Sequence, residues 1–205
     1  SDLPFISFTL PRLLKMCEKV DCNINVICDQ YEPSGLLSKT IKQGEVEKLH
    51  CTLKQIQSNL EFSLITKNLT NEEIRKLNKI HFGKYYKESH CFRGYPITGS
   101  IRQFHDTDSD YILHLDCDMI FHETLGFSWI KQGIRIMEEN EDILCVLPRG
   151  GSPTKDRSLH QGNTPYKFDE KRGLYLFKNF TSRHYLIHRQ RFLSLLPLKP
   201  LWLSW

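Results

Sequence analysis

The sequence predicts an α/β domain organised around one central strand. Three observations carry that expectation. Residues 3–28 read as β-α-β, residues 111–115 (YILHL) form an apolar β run that delivers Asp116 and Asp118 at its C-terminal end, and residues 124–147 read as an amphipathic helix followed by a buried strand. Strands alternating with helical segments are the pattern of a sheet built from crossover units.

Size and composition fit that class. A chain of 205 residues has room for one α/β domain with a core of its own, and 40% apolar with 25% charged residues is ordinary for a globular protein. The formal net charge of +4 is too modest to argue for a nucleic-acid partner. No stretch approaches the ~18 consecutive apolar residues of a membrane span, and no basic segment followed by an apolar one marks a signal peptide. A leading Ser in place of Met points to processing or trimming. The seven cysteines, Cys17, Cys22, Cys28, Cys51, Cys91, Cys117 and Cys145, are odd in number and scattered, which argues against a disulfide framework and for a reducing, cytoplasmic compartment. Cys17, Cys22 and Cys28 are spaced so that a zinc site can be imagined, but buried thiols on a helix and a strand are the plainer reading.

Taken in order, residues 3–9 (LPFISFT) read as a first strand, and Pro11 stands where a helix begins, with Leu13, Leu14, Met16, Cys17 and Val20 as its apolar face. Residues 23–28 (NINVIC) form a short β-branched strand closed by Asp29 and a turn, and a right-handed crossover makes the two strands parallel neighbours. Residues 34–60 place apolar side chains at spacings near three and four and read mostly as helix; residues 61–66 are a third strand. Thr70 followed by Glu73 is a capping box opening a helix to about Ile80. Residues 81–95 are aromatic and basic, which suits either a packed connecting segment or stacking on RNA bases. Residues 96–105 read as a short helix; Arg93 and Arg102 precede the central strand and either face phosphates or are solvated helix charges.

Beyond the central strand, residues 124–139 are an amphipathic helix with Leu125, Trp129, Ile130, Ile134, Ile136 and Met137 on its apolar side, and residues 143–147 are a buried strand. Residues 148–165 carry Arg149, Lys155 and Arg157 with no apolar period, and read either as a mobile lid carrying basic side chains or as a disordered loop. Residues 174–177 form a strand or edge segment, residues 185–188 run as strand into helix, and the apolar end at residues 201–205 has the look of a domain cut short.

The chemistry concentrates at Asp116 and Asp118. In extended chain, residues i and i+2 share a face, so both carboxylates can approach one hard divalent cation, Mg²⁺ or Mn²⁺, of the kind commonly shared with substrate phosphates. The end of a strand is also where α/β sheets bind ligands. A solvated acidic turn is the alternative, but such turns rarely stand between two apolar runs, here residues 111–115 and Met119-Ile120-Phe121. Cys117 points to the opposite face.

The order of elements resembles the GT-A fold of nucleotide-sugar glycosyltransferases, most like the family 2 type. The resemblance rests on Phe5-Ile6-Ser7-Phe8-Thr9 with Arg12, on Asn25-Val26-Ile27-Cys28-Asp29, on Ser109 to Phe121 around the acidic pair, and on Ser182 to Arg189. It implies one glycosyltransferase-like domain over residues 1–205, with a donor-binding half over about 1–121 and an incomplete acceptor-side half over about 122–205. It implies transfer of a sugar from a nucleotide-sugar donor, a UDP-sugar, to a saccharide or other hydroxyl acceptor with Mn²⁺ or Mg²⁺. By the same resemblance Thr9, at the end of the first strand, contacts the nucleotide. Asp29 accepts hydrogen bonds from the base, Arg12 supports the base pocket, Asp116 lies near ribose and metal, and Asp118 ligates the metal bridging the diphosphate.

Two departures stand out. The turn after the first strand is Leu10-Pro11-Arg12 rather than aromatic and Asn-rich, and nothing after Phe192 is acidic, so no general base is nominated. Glu123 reads as part of the polar cap of the following helix. A nucleotidyltransferase of related fold is an alternative, weakened by the absence of glycine from residues 7–11; a non-catalytic or truncated nucleotide-sugar-binding domain is the other.

Overall fold

Apolar residues at Ile6, Leu10, Leu13, Leu14 and Cys17 recur at helical spacing, and the chain folds accordingly: the first element of the computed structural model is helix α1, Leu3–Cys17. The structure describes residues 3–29, 44–91, 94–148, 154–156, 158–159, 165–179 and 181–199. It is a mixed α/β arrangement of helices and small sheets. After α1 come β1 (Asn25–Ile27), α2 (Glu45–Gln57), β2 (Ser63–Ile65), α3 (Asn71–Phe82), α4 (Thr98–Arg102) and β3 (Tyr111–Leu115). Then follow α5 (Trp129–Glu139), β4 (Cys145–Val146), β5 (Tyr166–Asp169), β6 (Leu174–Phe177), β7 (His184–His188) and α6 (Arg189–Leu193). No helix among the described residues is long and apolar enough to cross a membrane.

The strand expected at residues 3–9 is therefore corrected to the first half of a helix. Phe5, Ile6, Phe8 and Thr9 favour strand locally, but tertiary burial overrides that weak preference. Ile6, Leu10 and Leu14 pack with Val26, Cys28, Leu53 and Phe62, while Phe5 and Phe8 stay exposed. Pro11 lies inside the helix rather than at its start. With no strand there, the parallel partner of β1 is β2, in register Asn25–Ser63, Val26–Leu64 and Ile27–Ile65. α2 supplies the intervening helix.

The capping box forms as expected: the Glu73 amide donates to Thr70 Oγ1 at 3.3 Å, and the Thr70 amide donates to Glu73 Oε2 at 2.6 Å. The helix expected from residue 124 begins only at Trp129. Gly126 takes a left-handed φ of 78°, Leu125 is fully exposed, and Ser128 caps the first turn by accepting from the Lys131 amide at 3.4 Å. The helical reading over residues 34–43, Arg93, most of the basic loop with Arg149 and Arg157, and residues 200–205 fall outside the described residues.

The central sheet has strand order β3-β7-β4, with β7 antiparallel to both neighbours. Its register pairs Tyr111 with His188 and Leu115 with His184. α5 covers one face. Trp129, Ile130 and Met137 pack with Leu186 and with Leu13, Met16 and Cys17 of α1. α1 thus has one flank on β1 and the other on the central sheet. The approach of α5 to the sheet needs a glycine: a Cβ on Gly133 would lie 2.8 Å from Leu186 Cδ2 and 3.4 Å from Val146 Cγ1. On the other face, Phe104 stacks on Phe192 with centroids 4.1 Å apart, over Ile112, Tyr185 and Ile187. A separate hairpin, β5–β6, is tied to the end of α5 by Arg172, which bridges Asp169 at 2.7 Å and Asp142 at 2.9 Å.

Candidate functional site

The site grows from the register of β3 on β7. One step beyond the Leu115–His184 pair, the Asp116 amide donates to the Arg183 carbonyl at 2.8 Å, so Asp116 and Arg183 face each other at the end of the ladder. There the chain turns, with the Met119 amide donating to the Asp116 carbonyl at 3.2 Å. Cys117 points inward and packs on the cluster of Ile6, Leu10, Val26 and Cys28. Asp116 and Asp118 meet at Arg183 on the other side, but across a turn rather than in the extended chain that the i, i+2 spacing presumes.

Both carboxylates converge on one guanidinium. Arg183 Nε donates to Asp116 Oδ2 at 2.9 Å, and Nη2 donates to both oxygens of Asp118 at 2.5 Å. The fourth carboxylate oxygen, Asp116 Oδ1, lies 3.5 Å from His114 Nε2. His114 is itself fixed, stacked on Tyr185 with centroids 4.9 Å apart, with Gln103 Nε2 3.3 Å from its Nδ1. Gln103 also donates to the Tyr185 hydroxyl at 2.7 Å.

The electrostatics follow from these contacts. Partial burial pushes the Asp116 carboxyl up, but hydrogen bonds from His114 and Arg183 together outweigh it, and the net shift is downward. The hydrogen bonds to Asp116 and Asp118 push the Arg183 guanidinium up. His184, beside Arg183, is lowered by burial and then by that positive charge. The three side chains of the turn are only partly covered: Asp116, Asp118 and Arg183 remain 37%, 32% and 52% exposed.

The other expected site residues are placed differently. Thr9 lies on α1 and is buried; its hydroxyl donates to the Cys117 carbonyl at 2.5 Å and lies 3.1 Å from the Phe5 carbonyl. It therefore supports the acidic turn from behind, a correction to the nucleotide contact expected of a strand end. Arg12 folds back on its own helix, donating to the Phe8 carbonyl at 2.7 Å with its guanidinium 3.4 Å above the Phe8 ring. Asp29 does follow β1, and its Oδ2 lies 2.9 Å from Nε2 of the buried His90, whose Nδ1 lies 2.8 Å from Ser89 Oγ. β1 and the acidic turn share the cluster that holds Cys28 and Cys117.

Nearby charges are structural. Glu123 Oε1 accepts from the Trp129 amide at 2.9 Å and its other oxygen pairs with Lys19, so it anchors the start of α5. Arg102 donates to Asp106 at 2.7 Å and to the Lys67 carbonyl at 3.3 Å. Of the aromatic and basic stretch, His81 and His90 are buried, while Tyr85 and Tyr95 are exposed. All seven cysteines are free thiols; Cys17, pushed up to about 12 chiefly by burial, stays protonated.

No family model, curated protein or solved structure matches the chain.

Among the described residues, no group of three or more His, Cys, Asp and Glu side chains comes together as a metal site. Two carboxylates remain, all-oxygen donors on one side of an accessible turn. One or two carboxylates are what a hard cation uses when substrate phosphates and water complete its shell. The pair offers the donor type that Mg²⁺ or Mn²⁺ takes, and both carboxylates are paired with Arg183. Arg183 was missed in the sequence. Its signal was its place one residue before a strand, which becomes informative only once β7 is known to pair with β3 in this register.

Proposed function

We propose that the end of β3 is the diphosphate corner of a nucleotide-sugar glycosyltransferase of GT-A type. In this reading the protein transfers a sugar from a UDP-sugar to a saccharide or other hydroxyl acceptor, with Mn²⁺ or Mg²⁺. The observation that carries the proposal is that Asp116 and Asp118, both partly exposed, stand together at the turn that follows β3 and converge on Arg183. A carboxylate also follows β1, Asp29, at the end of the separate parallel β1–β2 sheet, and the carboxyl ends of parallel strands are where α/β sheets bind nucleotides. A divalent cation held by the pair would neutralise the leaving nucleoside diphosphate.

Within this reading the chain's own residues divide the work. Asp116 and Asp118 hold the cation that the diphosphate shares. Thr9 fixes the turn by tying the Cys117 carbonyl to α1. His114 orients Asp116. Asp29, held by His90, faces the nucleobase. The free thiols support a cytoplasmic location.

A second reading is a non-catalytic nucleotide-sugar-binding domain. The engagement of both carboxylates by Arg183 favours it. One experiment tests both. Thermal stabilisation by UDP is measured with and without Mn²⁺ on the wild type and on Asp118→Ala, followed by a screen of nucleotide-sugars for hydrolysis. The expected result is a Mn²⁺-dependent shift that Asp118→Ala abolishes, together with slow donor hydrolysis. A shift without hydrolysis of any donor selects the binding domain. No shift under any condition overturns both.

A further inference from the structure

The four carboxylate oxygens of the acidic turn are already engaged. Arg183 takes both oxygens of Asp118 and one of Asp116, and His114 faces the last. A divalent cation seeks the same oxygens and carries the same sign of charge as the guanidinium, so the two oppose each other at the turn. We infer that Arg183 is a built-in competitor for the metal, and that it yields the carboxylates when a diphosphate offers its guanidinium another anion. The inference rests on the nucleotide reading above and adds the residue that makes metal binding conditional on substrate.

The build of the turn suits an exchange. The Arg183 backbone is fixed, its carbonyl accepting from the Asp116 amide at 2.8 Å and its amide donating to Thr181 Oγ1 at 3.2 Å. The side chain beyond it is half exposed, so the guanidinium can turn about its own stem without disturbing the β3–β7 ladder. Arg183 bridges the two carboxylates, Nε on Asp116 and Nη2 on Asp118, and a planar guanidinium can bind phosphate oxygens through two nitrogens at once, so a diphosphate offers it a matching partner. Two carboxylates side by side repel each other, and Arg183 relieves that repulsion until the metal arrives.

The coupling has a defined sign. In the wild type, metal alone must displace Arg183 and binds weakly. Diphosphate draws Arg183 away and strengthens metal binding, and by linkage metal strengthens diphosphate binding by the same factor. Removing the guanidinium removes the competition.

The test is Mn²⁺ titration by electron paramagnetic resonance on the wild type, Arg183→Gln and Arg183→Lys, each with and without UDP. The expected result is that Arg183→Gln binds Mn²⁺ alone about tenfold more tightly than the wild type, while UDP raises its Mn²⁺ affinity by a smaller factor. Arg183→Lys keeps the charge but loses the fork, and falls between the two. It also provides the comparison should the glutamine variant fold poorly. Equal or weaker Mn²⁺ binding in Arg183→Gln overturns the inference. Tighter Mn²⁺ binding with no UDP binding in any protein upholds the competition and removes the nucleotide reading. Mn²⁺-dependent UDP binding with unchanged Mn²⁺ affinity upholds the nucleotide reading and removes the competition.

Discussion

Asp116 and Arg183 face each other across the β3–β7 pair, joined by an amide-to-carbonyl bond of 2.8 Å and by a charged side-chain bond of 2.9 Å. The backbone bond belongs to the fold. The side-chain bond, half in solvent, belongs to the site. Ion pairs of such exposure contribute little to stability, about 0–1 kcal/mol.

Asp118→Asn should therefore separate the two roles. Its unfolding free energy should stay within about 1 kcal/mol of the wild type by urea denaturation, while Mn²⁺-dependent stabilisation by UDP disappears. A large loss of stability with UDP binding intact would make the pair a structural clamp instead.

Thr9→Val should act from behind the turn. The substitution keeps the shape but removes the hydroxyl that donates to the Cys117 carbonyl, and losing such a hydrogen bond costs about 0.5–1.5 kcal/mol. The melting temperature and Mn²⁺ affinity should fall together, and Thr9→Ser should restore both. A Thr9→Val protein with normal stability and normal Mn²⁺ affinity but impaired UDP binding would return Thr9 to the role of a nucleotide contact.

Gly133→Ala should destabilise the layer between α5 and the central sheet. The added methyl would meet Leu186 Cδ2 at 2.8 Å, and Leu186 is 1% exposed, so it has little room to move. Overpacking of this kind costs about 1–3 kcal/mol. The denaturant midpoint should drop, and Leu186→Val should recover part of the loss in the double variant, because the two sites are in contact. Equal losses that simply add would place the strain elsewhere.

His81 should make the fold sensitive to acid. It is fully buried against Phe82, Phe104 and Phe192, its Nε2 lies 2.8 Å from His105 Nε2, and burial, then the neighbouring His105, lowers it to about 4. The unfolded chain protonates near the ordinary value of about 6.5. Between those values the unfolded state binds the extra proton, so stability rises with pH. The contribution is complete above about 6.5 and is lost as pH falls toward 4, with a slope of at most about 1.4 kcal/mol per pH unit from this group. The His105 imidazole, lowered by burial and by Arg189, adds to the slope in the same direction. His81→Phe should flatten the urea-denaturation profile between those pH values; an unchanged slope would remove His81 as its source.

Much of the local structure was legible in the sequence. The strand at residues 111–115, the capping box at Thr70 and Glu73, the strand at residues 174–177 and the strand-to-helix step near His188 depend on near neighbours along the chain, so their patterns survive in any fold; the central place expected of residues 111–115 falls instead to β7, with β3 at the edge. The meeting of Asp116 and Asp118, with Cys117 turned inward between them, depends on the turn that begins at Asp116 and on Arg183 across the ladder rather than on strand alternation. Residues 3–9 did not yield to the same reasoning, because their β-branched and aromatic side chains suit a strand as well as a helix. Only burial of Ile6, Leu10 and Leu14 against β1 and α2 decides between them. Tertiary pairing likewise decided what stands across the acidic turn. Arg183 lies 65 residues from Asp118, and no spacing rule reaches that far; the antiparallel register of β7 on β3 brings its guanidinium to the carboxylates.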